Sequence, residues 1–336
     1  MMLVRPVTLS DHDKILALAR EAGIGMTSLP PDSNVLQRKI ERSVASCKGA
    51  PEGEKQDAFL FVLVDTALGK LVGTSGIVAH VGLKHPFYSY KLSTIVQASG
   101  ELDVYSYQRV LHMVNDYTGA TEIGSLFLRP EYRRDGIGSF LSRSRYLMLA
   151  ELPHLFSDIV ISEIRGVQDA QGNSPFYKNL AQHFFQMEFR RADFVHATRG
   201  GQFISDLMPK YPIYVNLLDA RAQEVIGVPL EASRPAMHLL EKEGFRFQGY
   251  IDVFDAGPTL QVERVALRTV RKSKRSVLSD IADVAGAKCM VSSTALPDFR
   301  IAYAPIGHNA TGITLDAETA ENLKLKKGDD VRYYEA

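Results

Sequence analysis

Apolar positions in this chain change period several times, and the changes mark its elements. Residues 4–7 form a short apolar run read as a first strand. Ser10 then starts a helix, with Asp13 as its capping-box partner and Ile15, Leu18, Ala19 and Ala22 on one face, and Gly23 stops it. A second amphipathic helix carries Leu36, Ile40, Val44 and Cys47, and residues 49–56 read as a polar turn region. The apolar runs 59–65 and 70–81 predict a hairpin around Leu68-Gly69, and shorter strands are expected over 94–98 and 108–113. A strand over 123–128 is followed by a helical pattern over 137–151 that Pro153 ends, and then by a strand over 158–164. A helix is expected over 174–185, and another over 233–245 with Ser233 as N-cap, Pro235 in its first turn and Gly244 behind it. Past the basic run 271–275, read as a solvated linker, short apolar runs alternate with turns to the end.

The strand-to-helix passage holds the densest chemistry. It runs Ser125-Leu126-Phe127-Leu128-Arg129-Pro130-Glu131-Tyr132-Arg133-Arg134-Asp135-Gly136-Ile137-Gly138. A glycine loop opening onto a helix offers backbone N–H groups at the positive end of the dipole, and Arg133 and Arg134 stand beside it. That combination suits a pyrophosphate. Arg133-x-x-Gly136-x-Gly138 in this setting resembles the acyl-CoA loop of the GNAT acyltransferases. It differs from a dinucleotide G-x-G-x-x-G fingerprint and from a P-loop, since no Gly-Lys-Ser/Thr follows. The order helix, helix, strand, strand, strand, glycine loop, helix agrees with that resemblance, as does Phe176-Tyr177-Lys178-Asn179-Leu180 on a later helix. The implied fold is α+β: a GNAT-like, mixed and mainly antiparallel central sheet flanked by helices, with an elaborated second half and a small β-rich C-terminal appendage.

Composition narrows the function. A length of 336 residues predicts more than one domain. The expected division is a transferase region over 1–270, with its core about 1–190 and an elaboration about 191–270, and a β-rich module over 276–336. Lys+Arg and Asp+Glu both number 39, so the chain lacks the basic excess that a nucleic-acid partner demands. Cys47 and Cys289 are far apart and have no metal-ligand spacing. Nothing approaches a membrane span, and the expectation is a soluble, cytoplasmic protein; the resemblance to the acyltransferases implies neither a metal nor a permanently bound cofactor.

Several further strings make the resemblance specific. Thr27-Ser28-Leu29-Pro30, Asn115-Asp116-Tyr117-Thr118-Gly119, Arg165-Gly166-Val167 and Ser174-Pro175-Phe176 are similar to those of the arginine N-succinyltransferases. So are Leu207-Met208-Pro209-Lys210-Tyr211-Pro212-Ile213-Tyr214 and Tyr250-Ile251-Asp252-Val253-Phe254-Asp255-Ala256-Gly257-Pro258-Thr259. The resemblance covers residues 1–274 and weakens beyond. It implies transfer of a succinyl group from succinyl-CoA to L-arginine, in a homo-oligomer or a heteromer of paired subunits.

On that reading Arg133, Arg134, Asp135, Gly136, Ile137, Gly138 and Ser139 hold the CoA pyrophosphate, and Leu126, Phe127 and Leu128 present an open strand edge to the pantetheine amides. Arg165, Asp252 and Asp255 are candidates for the charged ends of the substrates, or else turn-capping residues. The resemblance also implies a proton-donating histidine after the Val-Ile-Gly string. Here Val225-Ile226-Gly227 leads into Val228-Pro229-Leu230, so Leu230 stands at that position and cannot move a proton. Tyr177 is the substitute expected, as a phenol of ordinary pKa near 10 suits protonation of a thiolate. His238 is nearby in sequence, on a helix read as core-packed. Two readings stay open: an active transferase using Tyr177 or no side-chain acid, and a non-catalytic subunit of a heteromer. A shifted acceptor such as ornithine falls within the first.

Overall fold

The structure, a computed structural model, describes residues 1–23, 26–49 and 57–335, apart from the side chain of Arg199; the predicted turn region is outside it from residue 50 on. The chain divides into two compact units, each discontinuous in sequence. The first comprises Met1–His80, Thr121–Ile159 and Glu263–Ala336, the second Val81–Ala120 and Val160–Val262.

In the first unit the opening strand, Met2–Pro6, pairs on both edges. One neighbour is Ala58–Asp65, antiparallel with Leu3 opposite Val64; beyond it lie Lys70–Val78 and Thr121–Leu128. The other neighbour is Ile301–Pro305, with Leu3 opposite Ala302, followed by Lys288–Ser292, Asp330–Tyr334 and Lys274–Ile281. The expected appendage is therefore hydrogen-bonded to the first strand. Its pairings are antiparallel except that between Lys274–Ile281 and Gly312–Leu315. One apolar cluster, including Ile15, Leu18, Leu36, Ile40, Leu60 and Val62, lies between the sheet and the two N-terminal helices, His12–Ala22 and Ser33–Cys47.

Local chemistry differs from expectation at three points here. The capping box is Thr8 with Asp11, not Ser10 with Asp13: the Asp11 carboxylate accepts from the Thr8 amide at 2.8 Å and from Arg5. A 3-10 turn, Leu9–Asp11, precedes the helix and shifts its start. The basic run is largely exposed, as expected, but it belongs to a helix and a strand and not to a linker. Residues Arg268–Lys272 are helical, and Arg275 and Arg332 both donate to Glu151, whose side chain is 1% exposed. Burial raises the Glu151 pKa, but hydrogen bonds from the two guanidiniums outweigh it and hold the carboxyl below its usual range.

The second unit is built on a long hairpin, Ser89–Ser99 with Val104–Val114, in unbroken antiparallel register from Ser89↔Val114 to Ser99↔Val104. Its root pairs with Arg246–Asp252 and with Ile213–Tyr214. The core gathers Tyr90, Phe176, Tyr177, Phe185, Phe189 and Phe254. The helix expected over 174–185 is two short ones, Pro175–Asn179 and Ala181–Phe185, broken at Leu180 (φ −127°, ψ −79°). Arg234–Glu243 ends at Gly244 in the left-handed region as read, but Ser233 gives no side-chain cap. Phe189–Arg199 and Gln202–Leu207 are helices that the sequence pattern did not announce. Among the described residues no helix is long and apolar enough to cross a membrane.

Candidate functional site

In the first unit the strand Thr121–Leu128 carries a bulge. Leu128 opposes Gly73 and Phe127 opposes Thr74, yet Gly124 opposes Gly76, so one extra residue is accommodated between. Ser125 takes φ 50°, in the left-handed region. A bulge releases backbone groups from the ladder and bends the strand. The motif Thr27–Pro30 explains itself here. The Ser28 hydroxyl accepts from the Ser125 amide at 3.2 Å, its carbonyl accepts from Ser125 Oγ at 3.3 Å, and Lys39 donates to the same carbonyl at 2.8 Å. Burial lowers the Lys39 pKa to about 8, and the Glu122 carboxylate partly offsets this.

Beyond the bulge, Leu126 is half-buried, while Phe127 and Leu128 are buried. A 3-10 turn, Pro130–Tyr132, leads into the loop, and Arg133 Nε donates to the Leu128 carbonyl at 2.9 Å, folding the loop back on its strand. Asp135 and Gly136 are both left-handed, with φ 52° and 75°. Gly136 is the N-cap of Ile137–Glu151 and provides no side-chain cap. The Ile137 amide bonds to Arg134 O and the Phe140 amide to Gly136 O, whereas Gly138 and Ser139, as N2 and N3, have no acceptor inside the helix. Residues Arg133 to Gly136 are exposed, and Ile137, Gly138 and Ser139 are half-buried. All seven predicted loop residues thus gather at one helix entry. The helix itself is anchored by Arg145, which is fully buried and donates to Ser142 and to the carbonyl of Gly124 beside the bulge. The sequence reading missed it, because a charged residue in an apolar helix gives no sign of its acceptors.

The second unit holds a different constellation. Arg165 follows the strand Ile159–Glu163 and donates to Asp193; its Nε is 3.5 Å from Asp255 Oδ2. Asp252 Oδ1 caps a turn by accepting from the amides of Phe254 and Asp255, each at 2.8 Å. Asp255 Oδ1 accepts from the Gly257 amide at 2.9 Å. The guanidinium also lies 5.4 Å from the Phe189 ring centre. Burial first, and then the neighbouring Asp252 carboxylate, push the Asp255 pKa up to about 7. Burial likewise raises Asp193 and Asp252 and lowers His196. Arg165, Asp252 and Asp255 are therefore partners of one another, and Asp193 is the member that local sequence could not reveal.

Two glycines make this junction possible. A Cβ on Gly166 would sit 2.2 Å from Asp255 O, and one on Gly257 would sit 2.0 Å from Ile164 O. Across the same junction the Leu230 amide donates to Arg165 O at 2.7 Å, Gly227 N donates to Ala256 O at 2.9 Å, and Gly166 bridges Pro229. Leu230 is thus held by backbone bonds, with its side chain half-buried. Tyr177 is 1% exposed; its hydroxyl donates to Met187 O at 3.0 Å, and its ring packs on Phe185, Phe189 and Phe254. Burial, and then the charge of Glu188, raise its phenol pKa above the ordinary value. His238 is not core-packed: its side chain is 63% exposed beside Glu241.

Known proteins share this whole chain. Residues 2–269 match the family described as arginine N-succinyltransferase beta subunit, and residues 273–335 match that family's C-terminal domain. The arginine N-succinyltransferase of Escherichia coli (strain 55989 / EAEC) is 40% identical, over 99% of this chain and 97% of that protein, and that of Shigella flexneri has the same identity and coverage. The solved structure of arginine/ornithine succinyltransferase subunit AI from Pseudomonas aeruginosa superposes with a TM-score of 0.89 at 33% identity, over 99% of this chain and 98% of that one. Kinship of that extent, over both units and the tail alike, places the chain in the arginine N-succinyltransferase family.

Proposed function

We propose that the chain is an acyl-CoA-dependent N-acyltransferase that moves the succinyl group of succinyl-CoA to the α-amine of L-arginine, giving N2-succinyl-L-arginine and CoA. The observation that carries this reading is the helix entry at Gly136, where the Gly138 and Ser139 amides lack helical acceptors beside two exposed arginines. The bulged strand Thr121–Leu128 is its complement: the Ser125 amide is taken by Ser28, and backbone beyond it, where the ladder is broken, can bond the pantetheine and the thioester oxygen. In the reaction the neutral amine attacks the thioester carbonyl. A C–N bond forms, the C–S bond breaks, sulfur leaves as thiolate, and the amine nitrogen loses one proton. No metal or resident cofactor enters this scheme. A cytoplasmic location belongs to the proposal and is supported by Cys47 and Cys289, both unpaired thiols.

Release of free thiol from succinyl-CoA and acetyl-CoA, each crossed with arginine and ornithine, tests the reading. Turnover that requires succinyl-CoA and arginine supports it. CoA binding without turnover of any pair favours the second reading, a non-catalytic subunit, for which Leu230 at the expected histidine position is the specific observation. Gly136→Val is expected to weaken CoA binding by ~100-fold or more while the fold persists. A Cβ there meets nothing within 4 Å, so the damage comes from a β-branched residue forced to φ 75° at the phosphate-facing turn. Unchanged affinity would remove this loop from the site.

Proton transfer has its own test. The burial of Tyr177 and its bond to Met187 favour a packing role. Tyr177→Phe is accordingly expected to lower kcat less than about threefold and stability by about 1 kcal/mol. A loss of about 10²–10⁴ in kcat would instead make this phenol the acid.

A further inference from the structure

The donor proposed above ends in a carboxylate, and a cation must receive that end if succinyl-CoA is to be told from neutral acyl-CoA thioesters. Arg165, a candidate from the sequence, is already paired with Asp193 and Asp255. Arg145, beside the bulge, is spent on Ser142 and Gly124. Lys39 is placed differently. It is half-buried on the helix Ser33–Cys47, and its ammonium donates to Ser28 O at 2.8 Å. Among the described residues that carbonyl is its hydrogen-bond partner, and no carboxylate comes within 4.0 Å. An ammonium has three N–H donors, so two remain for a ligand. The charges that act on it from further off are Glu122, on the bulged strand, and Arg42, one turn along its own helix. Burial works against the ammonium, and the Glu122 carboxylate only partly restores it. A second carboxylate, brought by a ligand, would complete the compensation.

The distances suit a succinyl group. Ser28 O also accepts from Ser125 Oγ at 3.3 Å, so the ammonium stands within roughly 6 Å of the side chain at the bulge. From carbonyl carbon to terminal oxygens a succinyl group spans three C–C bonds and a C–O bond, about 4–5 Å. Its carboxylate therefore reaches Lys39 when its thioester oxygen bonds the backbone past Ser125. The strand also leaves room for the chain between. Among the described residues a Cβ built on Gly124 meets no atom closer than Glu122 Oε1, at 4.0 Å.

We propose that Lys39 binds the terminal carboxylate of the succinyl group and thereby selects succinyl-CoA over thioesters whose acyl chain ends in a methyl. The inference rests on the CoA site proposed above, at the bulge and the Gly136 loop, and adds to it a residue that sets donor specificity.

Isothermal titration of the full chain, without arginine, with succinyl-CoA and with butyryl-CoA tests it; in butyryl-CoA a methyl replaces the carboxylate. The wild type is expected to bind succinyl-CoA at least ~10-fold more tightly. Lys39→Met should cut that preference to less than ~2-fold. Loss of the bond to Ser28 would loosen the bulge for both donors alike, so the ratio within one variant isolates the contact with the carboxylate. Lys39→Glu should instead favour β-alanyl-CoA, whose chain ends in an ammonium. A measurement on the wild type needs no variant to fold. Lys39 gives up its proton at about 8 in the free protein, so the preference should be full below that pH and fade above it. Binding of neither donor overturns this inference together with the CoA site. Equal binding of both donors overturns it alone and leaves the CoA site standing, as does a preference that survives Lys39→Met or stays flat through pH 8.

Discussion

Gly257→Ala is expected to prevent the second unit from reaching its native packing. The added methyl would lie 2.0 Å from Ile164 O and 2.5 Å from the Gly166 amide, both main-chain atoms that no rotamer change can move aside. Gly166→Ala meets Asp255 O at 2.2 Å from the other side of the junction. Overpacking against backbone exceeds the usual cost of an enlarged core, so either variant should lose more than about 4 kcal/mol. The observable is a melting transition lowered by more than about 10 °C, or failure to accumulate in soluble form. Gly100→Ala is the control: its added carbon has nothing within 4 Å, and stability should stay within about 0.5 kcal/mol. A Gly257→Ala protein that melts within ~2 °C of wild type would refute the tight junction.

Arg165→Ala is the second large effect. It strips the guanidinium that pairs with Asp193 and Asp255 and leaves buried carboxyls facing one another. Removing one partner of a buried pair costs about 3–5 kcal/mol, much more than the intact pair contributes. The penalty has a pH signature. Burial, and then the Asp252 carboxylate, push the Asp255 pKa up to about 7 from an ordinary 3.8. A raised folded pKa means stability that is complete below the unfolded value and is lost as pH rises through the folded one. Without Arg165 the carboxyls hold their protons still more tightly. The melting temperature of the variant should therefore trail wild type more at pH 8 than at pH 5. Asp255→Asn on the same background should flatten that dependence. An equal penalty at both pH values would show that Arg165 acts through packing on Phe189 alone.

Local signals carried the sequence reading as far as local physics reaches. The helix Ile137–Glu151 was legible because glycine at one end and proline just past the other bracket a clear apolar pattern. The loop before it was legible for the same reason: its chemistry lies within one short segment. The strands expected over 94–98 and 108–113 were read too short and not joined, since the outer parts of the long hairpin are exposed on both sides of the turn and carry no buried alternation. The partner of Arg275 was not legible, because its carboxylate, Glu151, is 124 residues away. The buried cluster was half seen. Asp252 and Asp255 belong to one conspicuous string, whereas Asp193 sits on a polar helix with nothing to distinguish it from a surface acid. His238 was misplaced by neighbours: adjacent leucines suggest a core face, but a helix turns its side chains by a hundred degrees per residue, and this one faces solvent.

The opening strand, Met2–Pro6, has Ala58–Asp65 on one edge and Ile301–Pro305 on the other. On the ribosome these two neighbours arrive at very different times. The first emerges soon after the strand itself, but Ala302 follows only tens of seconds later at about 5–20 residues per second. Throughout that interval one edge of the nascent sheet stays open, an unpaired row of donors and acceptors of the kind that recruits stray strands. Soluble yield of this protein should consequently respond to synthesis rate and chaperone supply.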